Sequence, residues 1–152
     1  MTELDHARWM NQAIDLAKLC PQAEGAYAVG AVIVGEDGQV ISTGYSRETD
    51  PKVHAEESAL DKLADDDPRL RTATIYSTLE PCSERATKTR QPCTDRILRA
   101  GIPTVVIAWR EPSLFVADCV GVEKLQQEGV TVIELPELAD AAMAMNRHLD
   151  LS

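Results

Sequence analysis

Ala73-Thr74-Ile75-Tyr76-Ser77-Thr78-Leu79-Glu80-Pro81-Cys82 is the stretch from which the architecture can be read. Its first six residues are rich in β-branched and aromatic side chains and read as a strand. That strand delivers Leu79-Glu80-Pro81-Cys82 at its carboxyl end, where open α/β sheets build their sites. Working outward toward the carboxyl terminus, residues 83–91 form a polar loop, and Pro92-Cys93-Thr94-Asp95 opens a helix that runs through Arg99 and closes at Gly101. Residues 104–108 read as a strand, 120–128 as a helix and 130–135 as a further strand. A final helix over 136–148 places Leu138, Ala141, Ala142 and Met145 on one face. Strand, helix, strand in succession implies a right-handed parallel crossover.

Toward the amino terminus, residues 53–64 carry Ala55, Ala59, Leu60 and Leu63 at helical spacing after the break at Asp50-Pro51, so His54 and Glu56 fall at a helix start. The acidic run Asp65-Asp66-Asp67 before Pro68 reads as a solvated loop. Residues 29–34 and 40–45 form a hairpin about Glu36-Asp37-Gly38, and the unbroken apolar character of the first strand implies burial on both faces. A first helix over 7–19 shows Trp9, Ala13, Leu16 and Ala17 on one face and stops before Pro21. The reading is one domain over residues 1–152, a three-layer α/β/α sandwich around a mixed five-stranded sheet, with no internal repeat.

Composition narrows the function. A formal charge of −10 disfavours polynucleotide and anionic membrane surfaces as partners, because neutralising phosphates takes Lys and Arg. No run is long and apolar enough to span a bilayer or serve as a secretory signal, so a cytoplasmic protein is expected. The four Cys lack the density of a disulfide scaffold and suit metal or catalysis. Cys20 and Cys119 read as small buried hydrophobes, and His6 and His148 as surface or capping residues of terminal helices.

His54-Ala55-Glu56, then Pro81-Cys82, then Pro92-Cys93 resembles the ligand pattern of the cytidine deaminase-like superfamily. The resemblance implies that fold, with zinc held by His54, Cys82 and Cys93 and with Glu56 carrying protons without binding metal. Three protein ligands leave a fourth position for water, whereas a structural zinc site is usually closed by a fourth side chain, and none is evident nearby. Two thiolates and a neutral imidazole balance the charge of Zn²⁺, and the helix starts at His54 and Cys93 add favourable partial charge. Zinc brings the ionisation of its bound water to about pH 7. One geometric objection stands: residues two apart on a helix point about 200° apart, so His54 and Glu56 share a site only if His54 lies at the irregular start.

TLEPC, PCTDRILRAGIPTVVIAWREP and GVEKLQQEGVTVIEL look like the deaminase domain of the riboflavin-biosynthesis enzymes, which act on a phosphorylated diaminopyrimidinone. That branch inserts a loop between its two Cys and uses it to hold substrate phosphate. Here ten residues intervene, and Arg85, Lys88 and Arg90 stand against Glu84 alone. Such a cluster suits an anionic substrate, and a merely solvated loop is the competing reading. Four substrate-facing positions depart from the branch: Ala26 replaces an Asn, Arg47 and Glu84 each replace a His, and Ser113 stands in the altered Glu111-Pro112-Ser113-Leu114 run. Trp109 and Phe115 flank the pocket or pack in core or interface.

The leading expectation is a zinc-dependent hydrolase that releases ammonia from a small aminopyrimidine, with or without phosphate. A deaminase of a cytosine or guanine derivative is the alternative. A non-catalytic zinc-stabilised module that binds a nucleotide or protein is a third reading, disfavoured because such a module has no use for Glu56. The resemblance also implies a homo-oligomer, dimer or tetramer.

Overall fold

In the computed structural model the described residues are 3–21, 27–50, 53–64, 66–81, 92–110 and 121–146. Cys82, Ala26, Glu84, Arg85, Lys88, Arg90, Ser113, Phe115, Cys119 and His148 lie outside them. The helices are α1 (Glu3–Ala17), α2 (Ala55–Asp61), α3 (Cys93–Ala100), α4 (Gly121–Gln127) and α5 (Ala139–Met143); the strands are β1 (Gly30–Val34), β2 (Val40–Tyr45), β3 (Thr74–Leu79), β4 (Thr104–Trp109) and β5 (Thr131–Glu134). They form one sheet in the order β2-β1-β3-β4-β5. β1 runs antiparallel to both β2 and β3, while β3, β4 and β5 are mutually parallel, as the strand-helix-strand succession predicts.

Two apolar layers sandwich this sheet. α1 and α5 cover one face with Trp9, Met10, Ala13, Ile14 and Ala142, against Val32, Tyr76 and Val106. α2, α3 and α4 cover the other with Ala59, Leu60, Ile97, Val122 and Leu125, against Ile33, Ile75 and Ile107. Each fully buried side chain of this kind contributes about 1.5–3 kcal/mol. All five residues of β1 and all six of β3 are buried, which accounts for their continuous apolar or small character.

Three local readings change. The expected final helix is broken into a 3₁₀ turn at Pro136–Leu138, the short α5, and a 3₁₀ turn at Ala144–Asn146. Asn146 is fully buried there, its amide turned to the backbone of Ala28, so the terminal segment follows a tertiary contact rather than helical periodicity. The Asp65–Asp67 run is not wholly solvated loop: Asp67 caps the 3₁₀ turn Pro68–Thr72 through the Arg69 amide. His6 is buried, not a surface residue, with Nδ1 2.7 Å from the Tyr76 hydroxyl across the α1–β3 contact. Burial raises the Tyr76 phenol above its ordinary pKa, so it stays protonated as a hydrogen-bonding group.

Close approach of α2 to β2 depends on Gly44, since a Cβ there would strike the Ala55 carbonyl and the Ala59 amide. That contact sets where the start of α2 stands above the sheet.

Candidate active site

The objection from helical geometry is resolved by where α2 begins. His54 is its N-cap, in extended conformation at φ −87° and ψ 160°, and the helix starts at Ala55. Its side chain direction is therefore set by the incoming strand-like segment, while Glu56 takes its direction from the first helical turn. Glu57 completes the helix start, its carboxylate accepting from the His54 amide at 3.1 Å.

Cys93 opens α3 and is fully buried. Its Sγ lies 3.4 Å from His54 Nδ1. Zinc bonds of about 2.0–2.1 Å to nitrogen and about 2.3 Å to sulfur at a tetrahedral angle separate the two atoms by about 3.6 Å. The observed separation thus fits two ligands of one metal, with Nδ1 facing it. The third expected ligand, Cys82, follows Pro81 directly, and the course of the chain up to Pro81 is well fixed. The Glu80 amide donates to the Trp109 carbonyl at 2.9 Å, and buried Glu80 accepts from the Val122 amide at 2.8 Å. Gly121 admits the Pro81 carbonyl where a Cβ would collide with it.

Glu56 is 4% exposed. Its Oε1 is 3.3 Å from the Ser77 hydroxyl, which also lies 2.8 Å from the Leu79 carbonyl. The hydroxyl has one proton and two acceptors. It can donate to an ionised Glu56, or keep Leu79 and accept from a protonated Glu56, so it has a bond to offer in either state. Sequence reasoning missed Ser77 because alternation along a buried strand marks it only as a small polar residue.

Residues 27–29, which enter β1, form a wall next to the carboxyl end of β3, because the start of β1 lies beside that end in the antiparallel pair. Arg47, expected to face substrate, bonds through its guanidinium to two backbone carbonyls. Nε and Nη2 donate to the Pro21 carbonyl at 2.8 and 2.6 Å, and Nη1 donates to the Tyr27 carbonyl at 3.1 Å. Its backbone is left-handed at φ 60°, and desolvation lowers its pKa. Asn146 takes both sides of one peptide residue: Oδ1 accepts from the Ala28 amide at 2.6 Å and Nδ2 donates to the Ala28 carbonyl at 3.1 Å. The Ser46 hydroxyl accepts from the Val29 amide at 3.1 Å. Cys20 is half-buried, its thiol donating to the Val29 carbonyl at 3.4 Å, and desolvation raises its pKa. It is a packed thiol that bonds locally.

Trp109 ends β4 on this wall, edge to face with Tyr27 at 5.7 Å and 86°. Among the described residues its Nε1 and the Thr94 hydroxyl beside Cys93 are buried without a hydrogen-bond partner. Buried polar atoms are rarely left so.

Comparison with known proteins places the chain in a family. Residues 4–109 match the cytidine and deoxycytidylate deaminase zinc-binding region, and the chain belongs to that family of deaminases. It is 43% identical over 136 residues, 88% of its length, to the diaminohydroxyphosphoribosylamino-pyrimidine deaminase of Schizosaccharomyces pombe, and 41% identical over 104 residues, 68% of its length, to riboflavin biosynthesis protein RibD of Aquifex aeolicus. It spans only 33% and 27% of those relatives. Among solved structures, the Thermotoga maritima diaminohydroxyphosphoribosylaminopyrimidine deaminase/5-amino-6-(5-phosphoribosylamino)uracil reductase is 35% identical with a TM-score of 0.78, over 93% of this chain and 39% of that one. The dCMP deaminase of cyanophage S-TIM5, 23% identical at a TM-score of 0.66 over 88% of this chain and 99% of that one, shares the fold. The expected fold and the resemblance to the riboflavin branch are thereby confirmed. No helix among the described residues is long and apolar enough to cross a membrane.

Proposed function

We propose that the chain is a zinc-dependent hydrolytic deaminase of a small aminopyrimidine, with the phosphorylated diaminopyrimidinone named for its relatives as the first substrate to test. The observation that carries this is the 3.4 Å approach of His54 Nδ1 to Cys93 Sγ with the Glu56 carboxylate buried on the same helix start. His54, Cys82 and Cys93 would hold the metal, which supplies a water ionised near neutral pH. Glu56 would take a proton from the attacking water as the water oxygen bonds the amino-bearing ring carbon, and would deliver that proton to the adjacent ring nitrogen. As the carbon–nitrogen bond breaks, the proton of the newly added hydroxyl would pass through the same carboxyl group to the leaving amine, and that hydroxyl oxygen becomes the carbonyl. Amidine and water thus become carbonyl and ammonia. Ser77 holds that carboxyl group through both protonation states.

Arg85, Lys88 and Arg90 are assigned to a substrate phosphate, opposed only by Glu84, with Ala26 and Ser113 beside the base and ribose. Arg47 belongs to the same wall through the Tyr27 carbonyl it holds. The domain over residues 1–152 works as a cytoplasmic homo-oligomer, with mass determination in solution as the check on assembly. A cytosine nucleotide is the second substrate class, favoured by the breadth of the matching family.

Ammonia release from aminopyrimidines and cytosine derivatives, each with and without phosphate, tests the reading. The zinc-loaded protein should turn over at least one phosphorylated aminopyrimidine. Glu56→Ala should lower kcat about 10²–10⁴-fold while retaining bound metal. No turnover on any member of the panel, or full turnover by Glu56→Ala, would overturn it.

A further inference from the structure

We infer that Arg96 is a positioning residue that sets the spacing of the metal ligands by bracing α3 against α2. This rests on His54 and Cys93 sharing a metal, as proposed above. Arg96 lies three residues past Cys93, one helical turn into α3. Its Nη2 donates to Asp61 at 2.6 Å and its Nη1 lies 3.9 Å from the Glu57 carboxylate. Glu57 and Asp61 are four residues apart and so share one face of α2. Glu57 is the residue whose other oxygen holds the His54 amide. The chain of contacts therefore runs from the His54 backbone through Glu57 to Arg96 and down one turn of α3 to Cys93. At both ends it terminates on a ligand.

Burial makes the brace stiff. The side chains of Arg96 and Glu57 are 14% and 8% exposed, so the pair is little screened by solvent, while Asp61 at 55% serves as the outer anchor. Partners that orient metal ligands from outside the coordination shell typically change affinity 10–100-fold when removed. The direction of the effect separates bracing from charge. Removing the Arg96 cation together with the Glu57 anion sets two opposing Coulomb effects on Zn²⁺ against each other, so charge alone predicts little net change. A brace predicts weaker binding.

Arg96→Met removes a cation from beside the buried Glu57 carboxylate and leaves its charge less balanced, so the decisive variant is Arg96→Met combined with Glu57→Gln. Gln at an N3 position keeps the bond to the N-cap amide. Zinc affinity is measured by chelator competition on the full chain, alongside the thermal stabilisation produced by added zinc. The double variant should bind zinc at least tenfold more weakly than the parent, reducing that stabilisation by about 1.4 kcal/mol per tenfold. Its kcat at saturating zinc should remain within about twofold. Arg96→Lys, which keeps the charge but reaches one carboxylate, should fall between. Parent-like affinity in the double variant, or tighter binding, overturns the brace; failure of the parent to bind zinc overturns the reading beneath it.

Discussion

Trp109 shows how a single residue can be placed by opposing costs. Among the described residues its indole N–H is buried without a partner, and a donor left unsatisfied in this way costs about 1–3 kcal/mol. The substrate of a deaminase carries ring nitrogen and carbonyl acceptors that such a donor can meet. Trp109→Phe keeps the ring contact with Tyr27 and deletes the N–H. Lost buried area then roughly offsets relief of the unpaired donor, so stability should change by less than about 1 kcal/mol. Substrate binding has no such offset, and KM should rise about fivefold or more, one lost hydrogen bond being about 1 kcal/mol. Steady-state kinetics beside a denaturation curve separates the two; equal KM with lowered stability would return Trp109 to packing alone. The residue-scale chemistry was the most legible part of the sequence. His54, Glu56 and Cys93 were named through the resemblance that their residue types and spacing bear to a deaminase family, and the structure brings His54 and Cys93 within 3.4 Å. Ser77 was not, since a buried hydroxyl acquires meaning only from the carboxylate that tertiary packing sets beside it.

At the scale of elements, the ligand helices are held from outside by the segments around them. Glu48, between β2 and α2, accepts from the Ser58 hydroxyl at 2.6 Å and from Lys62 at 2.9 Å, and Lys62 also donates to the Thr43 carbonyl. Burial alone would raise its pKa, but the Ser58 and Lys62 bonds outweigh that and hold it below the ordinary carboxylate value. A depressed folded pKa means that the contribution is fully present above the unfolded value of about 4.3 and is lost as pH falls through the folded one. Glu48→Gln should therefore lower Tm by about 2–4 °C at pH 7, for a loss of about 1 kcal/mol. The gap should close in melts toward pH 3; a gap that widened in acid would contradict the assignment. Gly121→Ala tests the other ligand segment. Its Cβ would displace the Pro81 carbonyl beside Cys82, and reduced zinc content with a loss of about 1–3 kcal/mol is expected. Element types were readable from periodicity and their ends from Pro and Gly, as with Gly101, left-handed at φ 79°. The lengths of α2 and of the carboxyl-terminal segment were not, because both end where side chains find distant partners.

Across the whole molecule, the wall beside the site is made by parts of the chain far apart in sequence. Asn146 and Ala28 are 118 residues apart, and Arg47 reaches back 26 residues to Pro21. No local pattern encodes either contact, which is why the last segment was read as a uniform helix and the backbone partners of Arg47 were not foreseen. The sheet explains the convergence, because β1 starts beside the end of β3 and residues 27–29, which enter β1, stand next to that end. Asn146 offers one acceptor and one donor to the two backbone groups of Ala28, a match that no other side chain of its size reproduces. Asn146→Asp keeps the acceptor for the Ala28 amide but turns a negative charge toward the Ala28 carbonyl. Asn146→Ala leaves both groups unpaired, at about 1–3 kcal/mol for each buried group not reached by water. If this residue only stabilised the fold, both variants would lower Tm and leave the kinetics of the folded fraction unchanged. If it shapes the wall, KM should rise about tenfold while kcat, which the proposed mechanism assigns to Glu56 and the metal, stays within about threefold. Measuring both constants at a temperature well below each variant's Tm decides between them, and an unchanged KM in Asn146→Ala would assign the contact to stability alone.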